Sequence, residues 1–130
     1  GGNGTSNGGS LQLSAAVVTA PTPATADNST QVATTAFVKN TGLGWGQTWQ
    51  NVTASRSAGV TYTNTTGKPI EVVCYLYGSV TVSAHIFVVD GVYTSGLTGQ
   101  GTVEAIIPNG SQYRLENPDA RILGHWSELR

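Results

Sequence analysis

Two runs of alternating apolar residues limit what this chain can become. Ile70, Val72, Cys74 and Leu76 alternate with Glu71, Val73, Tyr75 and Tyr77, and Val80, Val82, Ala84, Ile86 and Val88 alternate with Thr81, Ser83, His85, Phe87 and Val89. A period of two is the strand period, so each run places one set of side chains on a core face. The second set also carries valine and aromatic residues, which a sheet face open to water rarely does. Read as a long hairpin, the pair needs a second sheet of the same chain or a neighbouring subunit to cover that face.

The punctuation around these runs fits antiparallel β structure. Asp90-Gly91 between apolar runs predicts a type I′ hairpin turn, because both central residues need positive φ. Pro108-Asn109-Gly110 predicts a second tight turn, and Thr66-Gly67-Lys68-Pro69 a loop before the long strand. Strands are expected at Gln50–Thr53, Val60–Asn64, Ile70–Tyr77, Thr81–Val89, Val92–Ser95, Val103–Ile107, Gln112–Glu116 and Arg121–Leu129. Short strands at this spacing predict a sandwich or small barrel. Thr94–Gly101 reads as a polar, glycine-rich loop in which only Leu97 needs burial, and so as a candidate recognition loop.

Composition narrows the function classes. The chain has 130 residues, enough for one domain and an extension. With 10% charged residues and a formal net charge of −1, it has no electrostatic footprint for nucleic acid or an acidic membrane surface. No apolar run approaches the ~20 residues of a membrane span. The single cysteine, Cys74, allows no intrachain disulfide and reads as a small core residue. A chain that opens Gly1-Gly2-Asn3-Gly4, without methionine or signal peptide, is expected to be a fragment of a longer polypeptide.

Before the β region, residues 1–20 read as a glycine-rich shaft end or linker with a short strand around Leu11–Val18, and 21–44 as a coupling piece. Pro21 and Pro23 hold the approach extended. A helix is expected from about Asp27, with Asp27, Asn28 or Ser29 as N-cap and Gln31 near the capping-box position. Val32, Ala33, Ala36 and Phe37 would form its one apolar stripe. A helix this short is marginal in water and is lowered further by Thr30, Thr34 and Thr35, so the stripe needs a partner. That partner is either the β domain of the same chain or the stripes of identical copies. Asn40 and Gly42 suit helix termination. Of Trp45 and Trp49, at least one is expected to pack beneath the β domain and seal it to the bundle; an exposed Trp in a sugar-binding groove is the alternative.

Ala20-Pro-Thr-Pro-Ala, followed by Asp27-Asn-Ser-Thr-Gln-Val-Ala-Thr-Thr-Ala-Phe-Val38, closely resembles the short repeat of bacteriophage tail fibres. Gly46-Gln-Thr-Trp-Gln-Asn-Val-Thr-Ala-Ser-Arg56, Tyr62-Thr-Asn-Thr-Thr-Gly-Lys-Pro-Ile70 and the ending Trp126-Ser-Glu-Leu-Arg130 resemble the C-terminal tip domain of fibres from tailed phages and prophages. Together these resemblances cover residues 20–130. They imply a homotrimer at the distal end of a virion's tail fibre, touching the bacterial surface. The fold expected is an antiparallel β-sandwich over residues 45–130, preceded by a trimerising helix and an extended shaft end. The function expected is adsorption to a host receptor, either polysaccharide including lipopolysaccharide or an outer-membrane component. The alternative is a trimerisation or adhesin-docking module without receptor contact.

Little in the sequence points to catalysis. Glu71, Asp90, Glu104, Glu116, Asp119 and Glu128 are scattered, whereas a glycosidase needs two carboxylates at a defined separation. Glu71 and Glu104 are the one pair that strand pairing might bring face to face, and they read better as solvated charges. There is no GxSxG elbow, Ser/His/Asp grouping or P-loop, so no enzyme activity and no cofactor are expected. His85 and His125 lack ligand spacing. Threefold symmetry would turn one axial histidine into three ligands, but a hydrogen-bonded strand histidine is the default and no metal is expected. The five Asn-x-Ser/Thr patterns, at Asn3, Asn28, Asn51, Asn64 and Asn109, read as compositional. For binding, aromatic faces with amide, hydroxyl and charged groups near turns suit carbohydrate. The candidates are Asp90, Tyr93, Thr94, Ser95, Gln100, Asn109, Tyr113 and Arg114.

Overall fold

The computed structural model describes residues 17, 19–24, 26–77, 85–116 and 123–130. The expected shaft-end strand, the first half of the Thr81–Val89 strand and the start of the Arg121–Leu129 strand lie outside or partly outside these residues. In chain order the elements are α1 (Thr35–Thr41), β1 (Trp49–Asn51), a 3-10 turn (Thr53–Ser55), β2 (Tyr62–Thr63), β3 (Ile70–Leu76), β4 (His85–Val89), β5 (Val92–Leu97), β6 (Gly101–Ile107), β7 (Gln112–Glu116) and β8 (Leu123–Leu129).

The strands form two antiparallel four-stranded sheets, A in the order β1-β8-β3-β6 and B in the order β2-β7-β4-β5. Their inner faces pack as a sandwich. Ile70, Val72, Cys74, Leu76, Val103, Ile107 and Trp126 from sheet A meet Phe87, Val89, Tyr113 and Leu115 from sheet B. Each aliphatic or phenylalanine side chain among them contributes about 1.5–3 kcal/mol on full burial. An aromatic cluster joins the layers: the indole of Trp126 lies 5.8 Å from the ring of Tyr62, 6.2 Å from Phe87 and 6.5 Å from Tyr113. Burial alternates strictly along β3, as its period-two pattern requires.

The long hairpin does not form. Among the described residues β3 and β4 belong to different sheets and do not pair. A period-two pattern is the same whether the next strand pairs laterally or packs face to face, which is why sequence alone misassigns this connection. The Asp90-Gly91 turn is as expected, with φ of 47° and 80° joining Val89 to its partner Val92. The expected loop over Thr94–Gly101 is mostly strand. β5 continues to Leu97 and β6 begins at Gly101, leaving only Thr98-Gly99-Gln100 as the connection. A bulge at Thr94, between the pairs Phe87↔Ser95 and Val88↔Tyr93, absorbs the extra residue. Thr94 Oγ1 donates to the Phe87 carbonyl at 3.1 Å.

The helix is shorter than expected and starts eight residues later. Asp27 makes an Asx turn, its carboxylate accepting the Ser29 N–H at 2.7 Å, and Ser29 Oγ accepts the Gln31 N–H at 3.3 Å. These local bonds satisfy the backbone outside a helix and compete with one. Thr34 is the effective N-cap, its Oγ1 accepting the Phe37 N–H at 3.1 Å. Val32 and Ala33 therefore precede the helix, and only Ala36 and Phe37 of the expected stripe lie on α1. No residue of α1 is buried.

Candidate functional site

The sandwich has two ends. One is where the coupling piece enters. Thr48 and Arg130 exchange backbone hydrogen bonds at 3.1 and 3.2 Å, Gln47 Nε2 donates to the carbonyls of Pro69 and Leu129, and Lys68 Nζ donates to the Trp45 carbonyl at 2.9 Å. Across β3 and β6 the pairing runs from Ile70↔Ile107 at this entry end to Leu76↔Gly101 at the far end. At about 3.4 Å per residue the two ends of that ladder lie roughly 20 Å apart.

This division separates the candidate binding residues. Asp90 and Asn109 sit at the entry end with structural tasks. Asp90 Oδ1 accepts the Gln112 N–H at 2.8 Å, and Asn109 Oδ1 accepts the Gly67 N–H at 2.9 Å, tying two loops together. Tyr93 and Arg114 flank Val88 on the outer face of sheet B, beside a shallow concavity of about 160 Å³ lined by Val88, Asp90, Gly91 and Arg114 among others. The Arg114 guanidinium is paired with Glu116. Thr94 and Ser95 lie within β5, where Ser95 Oγ accepts the Glu104 N–H at 3.2 Å and stitches the two sheets at their edge. Gln100 stands alone at the far end, donating from Nε2 to the Tyr75 hydroxyl at 2.5 Å.

Tyr113 is not a surface residue. It is 2% exposed, and its hydroxyl donates to Glu128 Oε1 at 2.9 Å. Glu128 was expected to be one of the scattered charges, yet its carboxylate is fully buried. Arg56 binds both its oxygens, Nε to Oε1 at 2.8 Å and an Nη to Oε2 at 3.1 Å, while Arg130 reaches Oε2 at 2.7 Å. Burial pushes the Glu128 pKa up, but the donors from Arg56, Arg130 and Tyr113 outweigh it and hold the carboxyl below its ordinary value. Burial, with the Glu128 charge added, pushes the Tyr113 hydroxyl up to about 12. The Arg56 guanidinium also lies over the Tyr62 ring at 4.6 Å. With four donors on two oxygens and no second carboxylate in the network, this site locks sheet A, sheet B and the loop after β1 together. Parity was the available signal: Glu128 shares the face of Trp126, and a charge at a core position must be paired.

The outer face of sheet A is the other surface with chemical character. Its entry-end row is Trp49–Leu129–Glu71–Ile106, followed by Asn51–Ser127–Val73–Glu104 and then His125–Tyr75–Thr102. Glu71 and Glu104 thus occupy successive rows on different strands and do not face each other. Trp49 and Trp45 are both more than half exposed, so neither seals the β domain from beneath. The reason is register: Trp49 pairs with Leu129, which turns it to the outer face. Trp45 lies beneath Lys39 Nζ at 4.7 Å. At the far end the rings of Tyr75 and Tyr77 meet edge to face, 4.9 Å apart at 89°.

Among the described residues no group of three or more His, Cys, Asp or Glu could hold a metal ion, and no helix is long and apolar enough to cross a membrane. Burial pushes the Cys74 thiol far above its ordinary pKa, leaving it unreactive in the core. Comparisons of the chain with protein-family models, curated proteins and solved structures find no match in any of the three.

Proposed function

We propose that this chain is the receptor-binding end of a homotrimeric phage tail fibre. In this reading the coupling pieces of three chains pack about one axis, continuing from the rest of the fibre, and the sandwiches turn their far ends toward polysaccharide, lipopolysaccharide or an outer-membrane component of the host. The observation that carries it is apolar surface that one chain leaves uncovered next to the tail-fibre-like repeat. Val32 is 70% exposed and Val38 61%, and a groove runs between Thr19–Thr22 and Val32–Ala36. In a chain of net charge −1 such a segment has little electrostatic repulsion against self-association. Several weak receptor contacts on one particle add through effective concentration.

Light scattering tests the assembly: the expected mass is three times that of the 13.4 kDa chain, and a monomer at micromolar concentration overturns the reading. The exposed Trp49 and Ile106 in one row of sheet A favour a second reading, a docking module that carries another adhesin. Labelled protein that binds host cells and blocks phage adsorption supports the first reading. A trimer that does neither supports the second.

A further inference from the structure

We propose that the corner formed by Tyr75 and Tyr77 at the far end of sheet A binds a neutral pyranose unit of a glycan. The proposal deepens the receptor-binding reading and rests on it for the source of the ligand, while the site itself follows from local geometry.

Tyr77 follows the last residue of β3 and is 51% exposed. Its ring lies against Gly124: a Cβ added there would come within 2.2 Å of Cε2 and 2.6 Å of Cδ2. Gly124 is also the extra residue of a bulge, since Tyr75 pairs with His125 but Leu76 pairs with Leu123. The glycine thus serves close approach, giving the tyrosine ring a seat on bare backbone. The Tyr75 ring stands perpendicular to it and is fixed at its hydroxyl by Gln100. Both rings are held before any ligand arrives, which lowers the entropy lost on binding.

The corner is a floor and a wall of two π faces with hydrogen-bonding groups at its rim. The C–H face of a pyranose is electropositive and matches the negative face of an aromatic ring. His125 and Thr102 flank Tyr75 in the same row, both exposed, and the Gln100 amide adds an oxygen not engaged by the tyrosine. Imidazole, hydroxyl and amide together offer donors and acceptors to sugar hydroxyls. No Lys or Arg among the described residues belongs to the three outer rows, and Glu104 is exposed in the middle one. The exposed Glu104 carboxylate, one row away, repels a phosphorylated or acidic sugar and favours a neutral one. The corner stands at the opposite end from the coupling piece, the end a fibre tip would present.

Saturation-transfer NMR on the full chain, with the methyl glycosides of glucose, galactose, mannose and N-acetylglucosamine as probes, tests the site. Irradiating the tyrosine protons is expected to transfer signal to the ring protons of at least one pyranoside. Tyr77→Ala should weaken binding by about tenfold, the scale of one lost aromatic stacking contact with its buried area. Tyr77→Phe should retain binding. Gly124→Ala leaves every binding group present but displaces the Tyr77 ring, and should lose as much as Tyr77→Ala while the tryptophan fluorescence spectrum stays native. No transfer to any probe, or equal transfer in the wild type and Tyr77→Ala, overturns the site. Lipopolysaccharide and lipid-free capsular polysaccharide, immobilised in separate arms, distinguish the sources: the one that retains the wild type but not Tyr77→Ala carries the unit. A monomer that binds sugar through Tyr77 keeps the site and removes the fibre reading, and a trimer that shows no transfer does the reverse.

Discussion

From Thr48 to Arg130 the chain builds a buried core, whereas from Val17 to Trp45 no described residue is buried. Every buried residue described lies in the first region, between Asn64 and Glu128, and α1 has none. The two regions also use polar side chains differently. In the sandwich, Glu128 and Asn64 are buried and saturated with partners, so they specify one arrangement of sheets and loops. In the coupling piece, Asp27, Ser29 and Thr34 bond to backbone within three residues and specify only local turns. The longer links of this region are few, Thr34 Oγ1 to Thr22 Oγ1 at 2.9 Å and Lys68 Nζ to the Trp45 carbonyl, so little holds it folded against the rest of the chain. In our reading its partner is two more copies.

The contrast is sharpest at Glu128. Glu128→Ala should destabilise the sandwich by about 3–5 kcal/mol, because Arg56 is left in the interior without its counter-charge. Denaturant unfolding followed by tryptophan fluorescence measures it, and a loss below about 1 kcal/mol would mean the network behaves like a surface ion pair. Its pH dependence has a definite sign. The folded pKa of Glu128 is below the ordinary 4.5, so its contribution is complete above that pH and is lost as pH falls through the lower folded value. Glu128→Gln should flatten the acid limb of the stability curve.

Tyr113 tests the other face of the same lock. Tyr113→Phe removes one hydrogen bond to a charged group, worth about 1.5–3 kcal/mol. The hydroxyl titrates at 10.0 ordinarily and about 12 when folded, so its contribution is complete below pH 10.0 and is lost as pH rises through about 12. In the phenylalanine variant the alkaline limb should be flatter while the acid limb survives.

Asn64 is the neutral counterpart. Its Nδ2 donates to the carbonyls of Lys68 and Ile107 at 2.7 and 3.0 Å, and its Oδ1 accepts from the Thr66 N–H and hydroxyl. Asn64→Ala should cost about 1–3 kcal/mol by leaving those carbonyls unpaired. Hydrogen exchange should localise the effect to the Thr66–Lys68 and Pro108–Gly110 turns, and uniform loss of protection would show that Asn64 supports the whole core instead.

The parts of the fold readable in the sequence were those set by nearest neighbours in the chain. The alternation from Ile70 to Leu76 and the Asp90-Gly91 turn each need only local rules. The sheet to which β4 belongs is a long-range fact, and the Ile86–Val89 pattern is identical in either. The helix start was missed because Asp27 and Ser29 bond locally outside a helix, while the cap used is Thr34, which the sequence offered only as a residue of low helix propensity. At the candidate site Gln100 was legible as a polar residue near a turn. Tyr75 and Tyr77 were visible only as unexplained aromatics on a second face. Gly124 carried a signal that went unused, since a lone glycine in a strand pattern often marks a bulge or close backbone approach.

The smallest effect on the sandwich belongs to the coupling piece, and it separates the two regions most directly. Phe37 lies on α1, half-buried, and lines a small cavity together with Pro23 and Ala33. Phe37→Ser should change the unfolding free energy of an isolated sandwich by no more than about 0.5 kcal/mol, as for a surface change. In an assembly held together by coupling pieces, the same substitution removes an apolar side chain from each of three contacts. The midpoint of the wild type should then rise with protein concentration, because association stabilises the folded state by mass action, and that dependence should vanish in the variant. A concentration-independent midpoint in both proteins would place Phe37 outside any contact between copies and leave the coupling piece as a linker.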